Sequence, residues 1–251
     1  MSGTNEGVIL TYHSVSRGPA PLCISPASFA DQMSWLKANA RVIDLGELVN
    51  ALARGEPLPP RTVALTFDDG FQDFYAEAAP ALRRLGLTAT VFLPAAFCGR
   101  VASWNAQAGA LPLMAWKHVR ELAAQGLSFG SHGMSHAVLV NLTDAELAYE
   151  VGESKRLIEA ESGQNVNFFC YPYGRFDERA RQAANAHYSG GACSTELRTM
   201  VSGDDRFAVP RLDVHYLRHF TVFRSLFTEG FRFYLGIRRI ARTLRSRACA
   251  R

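Results

Sequence analysis

Short apolar runs alternate with segments of helical periodicity along most of this 251-residue chain. The runs typical of buried strands are 8–12, 63–67, 88–93, 127–130, 166–170 and 188–193. Between them, the spacing of apolar residues predicts helices over 26–39, 44–52, 71–85, 114–125, 143–161 and 177–187. This alternation is typical of parallel βαβ units, so the sequence predicts an α/β fold whose sheet is either closed as a barrel or open.

Polar residues follow four of the predicted strands. These residues are His13, Asp68-Asp69, His132 and the segment Tyr171-Pro172-Tyr173. In parallel sheets and barrels, active residues gather at the carboxyl ends of the strands. Four separate segments therefore converge on one rim, which favours an enzyme.

Two of these segments carry metal-binding chemistry. Thr66-Phe67-Asp68-Asp69-Gly70 and Ser131-His132-Gly133-Met134-Ser135-His136 together offer two carboxylates and two imidazoles. A catalytic zinc needs three protein ligands and an open water position, so one Asp and two His suffice and the other Asp is free as a base. In a metalloprotease HExxH motif a Glu follows the first His, whereas Gly133 stands there in this chain, which leaves Asp68 as the candidate base.

Each motif also has an ordinary structural interpretation. Asp68-Asp69-Gly70 is compatible with a strand-to-helix turn in which one Asp caps the helix and Gly supplies a positive φ. His132 and His136 are compatible with a polar surface pair. The occurrence of both motifs at successive strand ends favours the metal site.

Cysteine usage and the chain start bear on the compartment. The five cysteines are odd in number and scattered, and they show no CxxC spacing, which is typical of reduced thiols in a cytosolic protein. No signal-peptide pattern precedes Val8, and no run of roughly eighteen apolar residues predicts a spanning helix. We therefore expect a cytoplasmic protein, either free or peripheral at the inner face of the membrane.

The C-terminal segment is strongly basic. Residues 211–251 contain ten Arg against Asp213 and Glu229, whereas the whole chain carries a net charge of only +4. From Phe220 onward aromatic and aliphatic residues alternate with Arg, which suits either an anionic membrane surface or a terminal helix packed on the barrel. Nucleic acid is not an expected partner, because the rest of the chain is acidic and contains no recognised binding module.

The chain resembles the polysaccharide deacetylases of the NodB-homology type, carbohydrate esterase family 4. The resemblance spans Val8 to Val214 and rests on the two motifs above and on Phe169-Cys170-Tyr171-Pro172-Tyr173-Gly174. It implies a distorted (β/α)7-type barrel that removes acetyl groups from N-acetylated sugars with Zn²⁺ or with Co²⁺, Ni²⁺ or Mn²⁺. We accordingly expect a disordered segment 1–7, a single deacetylase domain 8–215 and a basic, aromatic helical tail 216–251.

The resemblance also implies roles for individual residues. Asp69, His132 and His136 would bind the metal, Asp68 would be the base, and the backbone N–H of Tyr173 would stabilise the oxyanion. Residues expected to contact the substrate are Tyr171, Pro172, Tyr173 and Trp104.

Two family features are displaced in this chain. The third motif often begins with an Arg that braces the base, but Cys170 stands two residues before Pro172, so Arg211 is the candidate for the missing guanidinium. The late Leu-x-His motif, which carries the general acid, is absent. His13 resembles the equivalent residue of the permuted branch and is the expected acid, His215 is the rival, and Asp213 is a candidate to orient and charge a His.

The expected function is metal-dependent hydrolysis of the N-acetyl group of an amino sugar in a glycan or a lipid-linked saccharide. Two alternatives remain open from sequence. The same site would also suit another C–N bond, such as the formamide of a sugar, and the displaced motifs are compatible with a catalytically weak glycan-binding module.

Overall fold

The computed structural model describes residues 3–18, 22–104 and 111–248, with those after Arg238 described by backbone alone. The outermost parts of the predicted terminal segments, 1–2 and 249–251, lie outside the described residues. The strands are β1 (Glu6–Tyr12), β2 (Ser14–Val15), β3 (Cys23–Ile24), β4 (Arg41–Ile43), β5 (Thr62–Phe67), β6 (Thr90–Leu93), β7 (Ser128–Ser131), β8 (Phe168–Cys170), β9 (Gly191–Cys193), β10 (Met200–Val201) and β11 (Leu212–Asp213). The helices are α1 (Pro26–Asn39), α2 (Leu45–Ala53), α3 (Ala79–Leu85), α4 (Trp116–Ala124), α5 (Asp144–Ala148), α6 (Ser154–Ser162), α7 (Glu178–His187), α8 (Phe220–Arg224) and α9 (Glu229–Ala248).

Wider helical turns extend two of these helices. One at Phe74–Ala78 leads into α3, and another at Tyr149–Glu153 joins α5 to α6. The chain therefore remains helical from Phe74 to Leu85 and from Asp144 to Ser162, close to the bounds that the sequence predicts.

The central sheet is parallel and curled. Its strands lie in the order β1-β5-β6-β7-β8-β9, with β4 beside the start of β5 and the short β10 antiparallel to the start of β1. β1 also pairs in parallel with β11, and Cys193 at the end of β9 forms a parallel bridge with Val209. The segment between Val209 and β11 thus connects the two edges of the sheet. The predicted α/β fold of distorted barrel type is confirmed as one curled, barrel-like sheet.

Alternating residues of the strands face two separate cores. Ile9, Ala64 and Phe92 pack inside the curled sheet against α2, which fills its lower end. Their neighbours Leu10 and Leu65 point outward and pack under the surrounding helices. Since side chains alternate along a strand, polar residues placed two positions beyond the inner apolar ones face the interior of the barrel at its upper end.

The N-terminal segment is more ordered than the sequence predicts. Strand β1 begins at Glu6, and Thr4 exchanges two backbone hydrogen bonds with Leu58, at 2.7 and 2.8 Å. The expectation of disorder over residues 1–7 is therefore wrong from Thr4 onward, because these pairings extend the sheet edge below Val8.

The basic C-terminal segment begins as part of the domain. Phe223, Phe231 and Leu235 are buried in the outer core, and the ring of Phe227 stacks on Trp35 with 5.8 Å between centroids. The packed-helix alternative therefore holds for the first part of this segment. None of the helices within the described ranges is both long and apolar enough to cross a membrane.

Candidate active site

A cavity of about 660 Å³ opens at the carboxyl ends of the strands. Nine of the residues singled out in the sequence line it: His13, Asp68, Asp69, Trp104, His132, His136, Tyr171, Tyr173 and Asp213. Gly174, the last residue of the third motif, also lines it, as do Leu22, Thr195 and Tyr216, which nothing in the sequence pattern marked. Its volume lies within the range of small-molecule sites, roughly 300–1,000 Å³.

Asp69, His132 and His136 form a buried cluster at the floor of this cavity. Oδ1 of Asp69 lies 3.2 Å from Nε2 of His136 and 3.8 Å from Nε2 of His132. Among the described atoms, this Oδ1 has no well-aligned hydrogen-bond donor. A buried carboxylate oxygen is unfavourable unless a donor or a cation satisfies it. Two imidazole nitrogens and one carboxylate oxygen are the ligands of a catalytic zinc, so these residues fit such an ion.

The environment of His132 prepares its Nε2 for a metal. Its Nδ1 lies 2.7 Å from the carbonyl oxygen of Cys170. Because a carbonyl can only accept a hydrogen bond, Nδ1 carries the proton and the lone pair of Nε2 is free. Burial, with a further contribution from the neighbouring His136, lowers the pKa of His132 to about 4. The imidazole is therefore neutral near pH 7, as a ligand must be.

Glu150 holds the loop that carries the two histidines. Its buried Oε2 accepts hydrogen bonds from the backbone N–H groups of Met134 (2.8 Å) and Ser135 (3.0 Å). Gly133 has φ +80°, and a Cβ at this position would lie 2.8 Å from the same oxygen. A glycine at this position therefore suits both the left-handed backbone and the approach of Glu150. The sequence did not single out Glu150, although it lies on the buried face of a predicted helix.

Three residues of the site have left-handed backbones without being glycine. They are Asp69 (φ 69°), His136 (φ 60°) and Tyr173 (φ 59°). Such conformations cost on the order of 1–3 kcal/mol each and persist where the surroundings enforce them, often at functional sites. Two metal-ligand candidates and the predicted oxyanion donor therefore have a backbone conformation that residues other than glycine rarely adopt.

Asp68 is adjacent to the Asp69–His132–His136 cluster, and both of its carboxylate oxygens accept hydrogen bonds. Arg211 donates from Nη1 to Oδ1 (2.7 Å) and from Nη2 to Oδ2 (2.8 Å) of this carboxylate. The guanidinium is wholly buried and also donates to the carbonyl of Ser194 (3.1 Å) and the hydroxyl of Thr66 (3.2 Å). The structure thus places Arg211 against Asp68, 143 residues away in the chain, as a bidentate partner.

The Arg211 ion pair controls the ionisation of Asp68. Burial alone would raise the pKa of this carboxyl, but the charge and hydrogen bonds of Arg211 outweigh burial and hold it well below its ordinary value. Cys170 completes the surroundings of this ion pair, because its Sγ lies 3.0 Å from Nη2 of Arg211. Burial raises the pKa of the Cys170 thiol, so it stays protonated and adds no competing negative charge.

The two candidate acids occupy different places. Nε2 of His13 lies 4.0 Å from Oδ2 of Asp68, and His13 lines the main cavity. His215 is not among the described residues of that cavity; it lines a smaller neighbouring one, which His13 also borders, and burial lowers its pKa. The carboxylate of Asp213 accepts a hydrogen bond from the backbone N–H of His215 (2.8 Å), where it caps the turn Val214–Leu217.

The four predicted substrate contacts separate into two kinds. Trp104 stacks on His136 (4.5 Å between centroids) and the half-exposed ring of Tyr173 meets His136 edge-on (4.6 Å), so both border the cavity. The Tyr171 side chain is wholly buried and donates from its hydroxyl to the Phe207 carbonyl (2.9 Å). Pro172 is buried at the start of a short turn. The Tyr171 and Pro172 side chains are therefore used in packing, although Tyr171 also borders the cavity, and sugar contact by these two residues stays a prediction.

Comparison with known sequences gives a consistent family. The sequence profile of the family described as polysaccharide deacetylase matches residues 55–188. YxkH of Bacillus subtilis (strain 168), whose name assigns it to the polysaccharide deacetylases, is 30% identical over 177 residues, 70% of this chain and 60% of the relative. The poly-beta-1,6-N-acetyl-D-glucosamine N-deacetylase of Staphylococcus epidermidis is 24% identical over 75% of this chain and 67% of its own length.

Solved structures share the fold over most of the chain. The Streptococcus pyogenes deacetylase PplD, solved in complex with acetate, superposes with a TM-score of 0.74 at 23% identity, covering 84% of this chain and 93% of that one. IcaB from Ammonifex degensii gives a TM-score of 0.72 at 24% identity, covering 84% and 92%. At this identity the likeness establishes the architecture, and the chemistry has to be argued from the residues present.

Proposed function

This chain belongs to the polysaccharide deacetylase family, and on that premise we propose that its rim cavity hydrolyses the N-acetyl group of an amino sugar within a polysaccharide. The observation that carries the proposal is the buried Asp–His–His cluster around an unsatisfied carboxylate oxygen, beside a second carboxylate held by Arg211. Water adds across the amide bond, and the products are acetate and a free amine. The name of the S. epidermidis relative supports a polymer of N-acetylglucosamine as the substrate.

A divalent cation, zinc in the first instance and otherwise Co²⁺, Ni²⁺ or Mn²⁺, is the proposed cofactor. Asp69, His132 and His136 would hold it. When bound there, such an ion acidifies a water molecule and polarises the acetyl carbonyl. The orphaned oxygen of Asp69 and the proton on Nδ1 of His132 support this assignment.

Asp68 is the proposed general base. Its carboxylate is ionised and held in one plane by the two hydrogen bonds from Arg211. It accepts a proton from the attacking water at a position fixed by the Arg211 hydrogen bonds, and then passes that proton on. Arg211 touches no substrate in this proposal and acts by positioning Asp68.

His13 is the proposed general acid. It lines the cavity within 4.0 Å of Asp68, so it can protonate the amine nitrogen as the C–N bond breaks. The backbone N–H of Tyr173 is the proposed donor to the oxyanion, supported by the left-handed φ that sets the orientation of this turn. Trp104 and Tyr173, which flank His136, are the proposed walls for the sugar.

The test is acetate release from β-1,6- and β-1,4-linked N-acetylglucosamine oligomers, with added zinc and with chelator. We expect chelator-sensitive acetate from the wild type. His132→Ala should lose both zinc and activity, Asp68→Asn should keep zinc and lose activity, and His219→Ala, which alters an exposed histidine outside the cavity, should retain both. Absence of acetate from every oligomer, with zinc demonstrably bound, would overturn the proposed reaction.

A further inference from the structure

One side of α9 carries apolar residues that are left exposed by the part of the domain that the structure describes. Phe231 and Leu235, four residues apart, are buried against the outer core. Phe233 and Ile237, also four residues apart, are 74% and 53% exposed on another side of the same helix. With about 3.6 residues per turn, each pair forms its own stripe, so α9 has a second apolar face directed away from the domain.

Beyond Ile237 the sequence repeats this apolar spacing and is rich in arginine. Ile240 and Leu244 follow Ile237 at spacings of three and four residues. The segment 238–251 contains no acidic residue, and its basic residues are Arg238, Arg239, Arg242, Arg245, Arg247 and Arg251. An apolar stripe with this charge suits an anionic partner that also accepts hydrophobic side chains.

Contacts along α9 show which way its basic end points. Arg232 pairs with Glu6, at the start of β1. One turn and a half later the guanidinium of Arg238 lies 5.6 Å from the ring centroid of Tyr216, whose carbonyl accepts a hydrogen bond from the Tyr234 hydroxyl (2.9 Å). Tyr216 lines the active-site cavity. Between Arg232 and Arg238 the helix therefore runs from the lower end of the barrel toward the rim, with Arg238 on the cavity side.

We propose that the exposed face of α9 docks onto an anionic lipid bilayer. Phe233 and Ile237 would enter the interfacial region while the arginines meet lipid headgroups. Each arginine would contribute roughly a fivefold gain in partitioning. A second copy of this chain is a poor partner for the same face because it would bring two Arg-rich helices together. Nucleic acid would satisfy the charge but would leave the apolar stripe in water.

Docking in this orientation would bring the cavity close to the bilayer. Resting on the proposed function, this favours substrates held at a membrane surface, such as lipid-linked or nascent saccharides, over freely diffusing ones. The docking itself does not depend on the reaction that the cavity performs.

The experiment is co-sedimentation of the full chain with phosphatidylcholine vesicles that either contain or lack phosphatidylglycerol. We expect binding that requires the anionic lipid and weakens as salt is added. The double variant Phe233→Ser/Ile237→Ser should lower partitioning about tenfold or more, because it removes the apolar stripe while leaving the charge intact. The matched control is Tyr149→Ser, which alters an aromatic residue that is 55% exposed elsewhere on the surface and should leave binding unchanged.

Three results would overturn the docking proposal. The first is vesicle binding that the double variant does not weaken. The second is tighter binding to duplex DNA than to anionic vesicles. The third is a wild-type dimer, seen by light scattering, that the double variant loses while its vesicle binding stays the same. Thermal unfolding of both variants confirms folding, since the altered residues are exposed. Acetate release from soluble oligomers is measured on the same variants and should not change, so a failure of docking is distinguishable from a failure of the proposed reaction.

Discussion

Asp68 and Asp69 are adjacent in the chain and both are buried, yet their surroundings differ completely. Both oxygens of Asp68 are satisfied by a wholly buried guanidinium. Asp69, in contrast, faces two imidazoles and retains a carboxylate oxygen with no donor among the described atoms. The first carboxylate has its counter-ion within the protein, and the second has a geometry that a cation would complete.

This contrast shows how two identical side chains can receive different tasks. Asp68 points into the barrel, where Thr66 on β5, Cys170 on β8 and Arg211 just before β11 surround it. Asp69, one residue later and with a positive φ, turns toward the loop after β7. A single change of backbone direction therefore separates a carboxylate suited to proton transfer from one suited to metal binding.

The largest expected effect comes from exchanging each carboxylate for its amide. Asp69→Asn should lose zinc and about a thousandfold or more in activity, while its unfolding free energy in chelator stays close to that of the wild type. Asp68→Asn should lose comparable activity but retain zinc, and it should unfold more easily because Arg211 is left buried without a counter-ion. Acetate release, bound zinc and denaturant unfolding of both variants provide the three measurements.

Zinc itself gives an internal control for these two variants. Metal at about one hundred times its Kd should raise the unfolding free energy of the wild type by about 2.7 kcal/mol. Asp68→Asn should show the same increment, and Asp69→Asn should show almost none. An equal increment in both variants would mean that the two carboxylates do not divide the tasks as described.

The next effect concerns the ion pair alone. Arg211→Met should lower the unfolding free energy by about 3–5 kcal/mol near pH 7, because it leaves Asp68 charged, buried and unpaired. The matched control is Arg206→Met, which removes a partly buried arginine bonded to the carbonyl of Gly190 instead of to a carboxylate. Arg206→Met should lower the unfolding free energy clearly less than Arg211→Met does. Denaturant unfolding in the presence of chelator compares them without any contribution from metal.

The pH dependence of this difference has a defined sign. In the wild type the folded pKa of Asp68 lies below its unfolded value of about 4, so its stabilising contribution is lost only as pH falls below that value. Without Arg211, burial would raise the folded pKa of Asp68 above about 4. Protonation of Asp68 would then remove the unpaired buried charge and restore part of the variant's stability. The stability difference between wild type and Arg211→Met should therefore shrink as pH falls from 7 toward 4, and a constant difference would contradict the assigned role of the ion pair.

Much of this site follows from local patterns. The run before Asp68 is apolar enough to predict β5, and the Leu127-Ser128-Phe129-Gly130 run similarly predicts the strand before His132. Because a parallel sheet aligns its carboxyl ends, those two predictions already bring the Asp and His motifs together. The helix predicted over Pro26–Asn39 has the same bounds in the structure, where Ser25 caps it.

The remaining parts depend on contacts that local patterns do not encode. Strand β11 has only two residues, too few for a periodicity, yet it follows the buried Arg211 directly. Glu150 resembles the solvated acids of its helix until the neighbouring loop is placed against it. Tyr171 belongs to the same motif as Tyr173, and only the position of Phe207 shows that its ring is part of the core.

A smaller effect is expected at the loop that presents the histidines. Glu150→Gln weakens the charge-assisted hydrogen bonds to Met134 and Ser135, so zinc affinity should fall about 10–100-fold without loss of the ligands themselves. Glu153→Gln is the matched control, because this acid lies one turn later in an exposed pair with Arg156. Zinc titration with a competing chelator measures both. Equal affinities in the two variants would show that the loop holds its shape without Glu150.

The smallest effect tests whether Cys170 adds anything to the surroundings of Asp68 beyond volume. Cys170 and Cys193 are register partners on β8 and β9, and both are buried, but the Sγ of Cys170 also accepts a hydrogen bond from Arg211 (3.0 Å). Replacing either by Ala removes one sulfur atom. The unfolding free energy should therefore fall more in Cys170→Ala than in Cys193→Ala, and the difference, about 1 kcal/mol or less, reports that hydrogen bond. Turnover should change by less than about tenfold in both variants, because Arg211 still holds both oxygens of Asp68. A much larger loss of turnover in Cys170→Ala alone would mean that the thiol helps to set the position or the charge of the base.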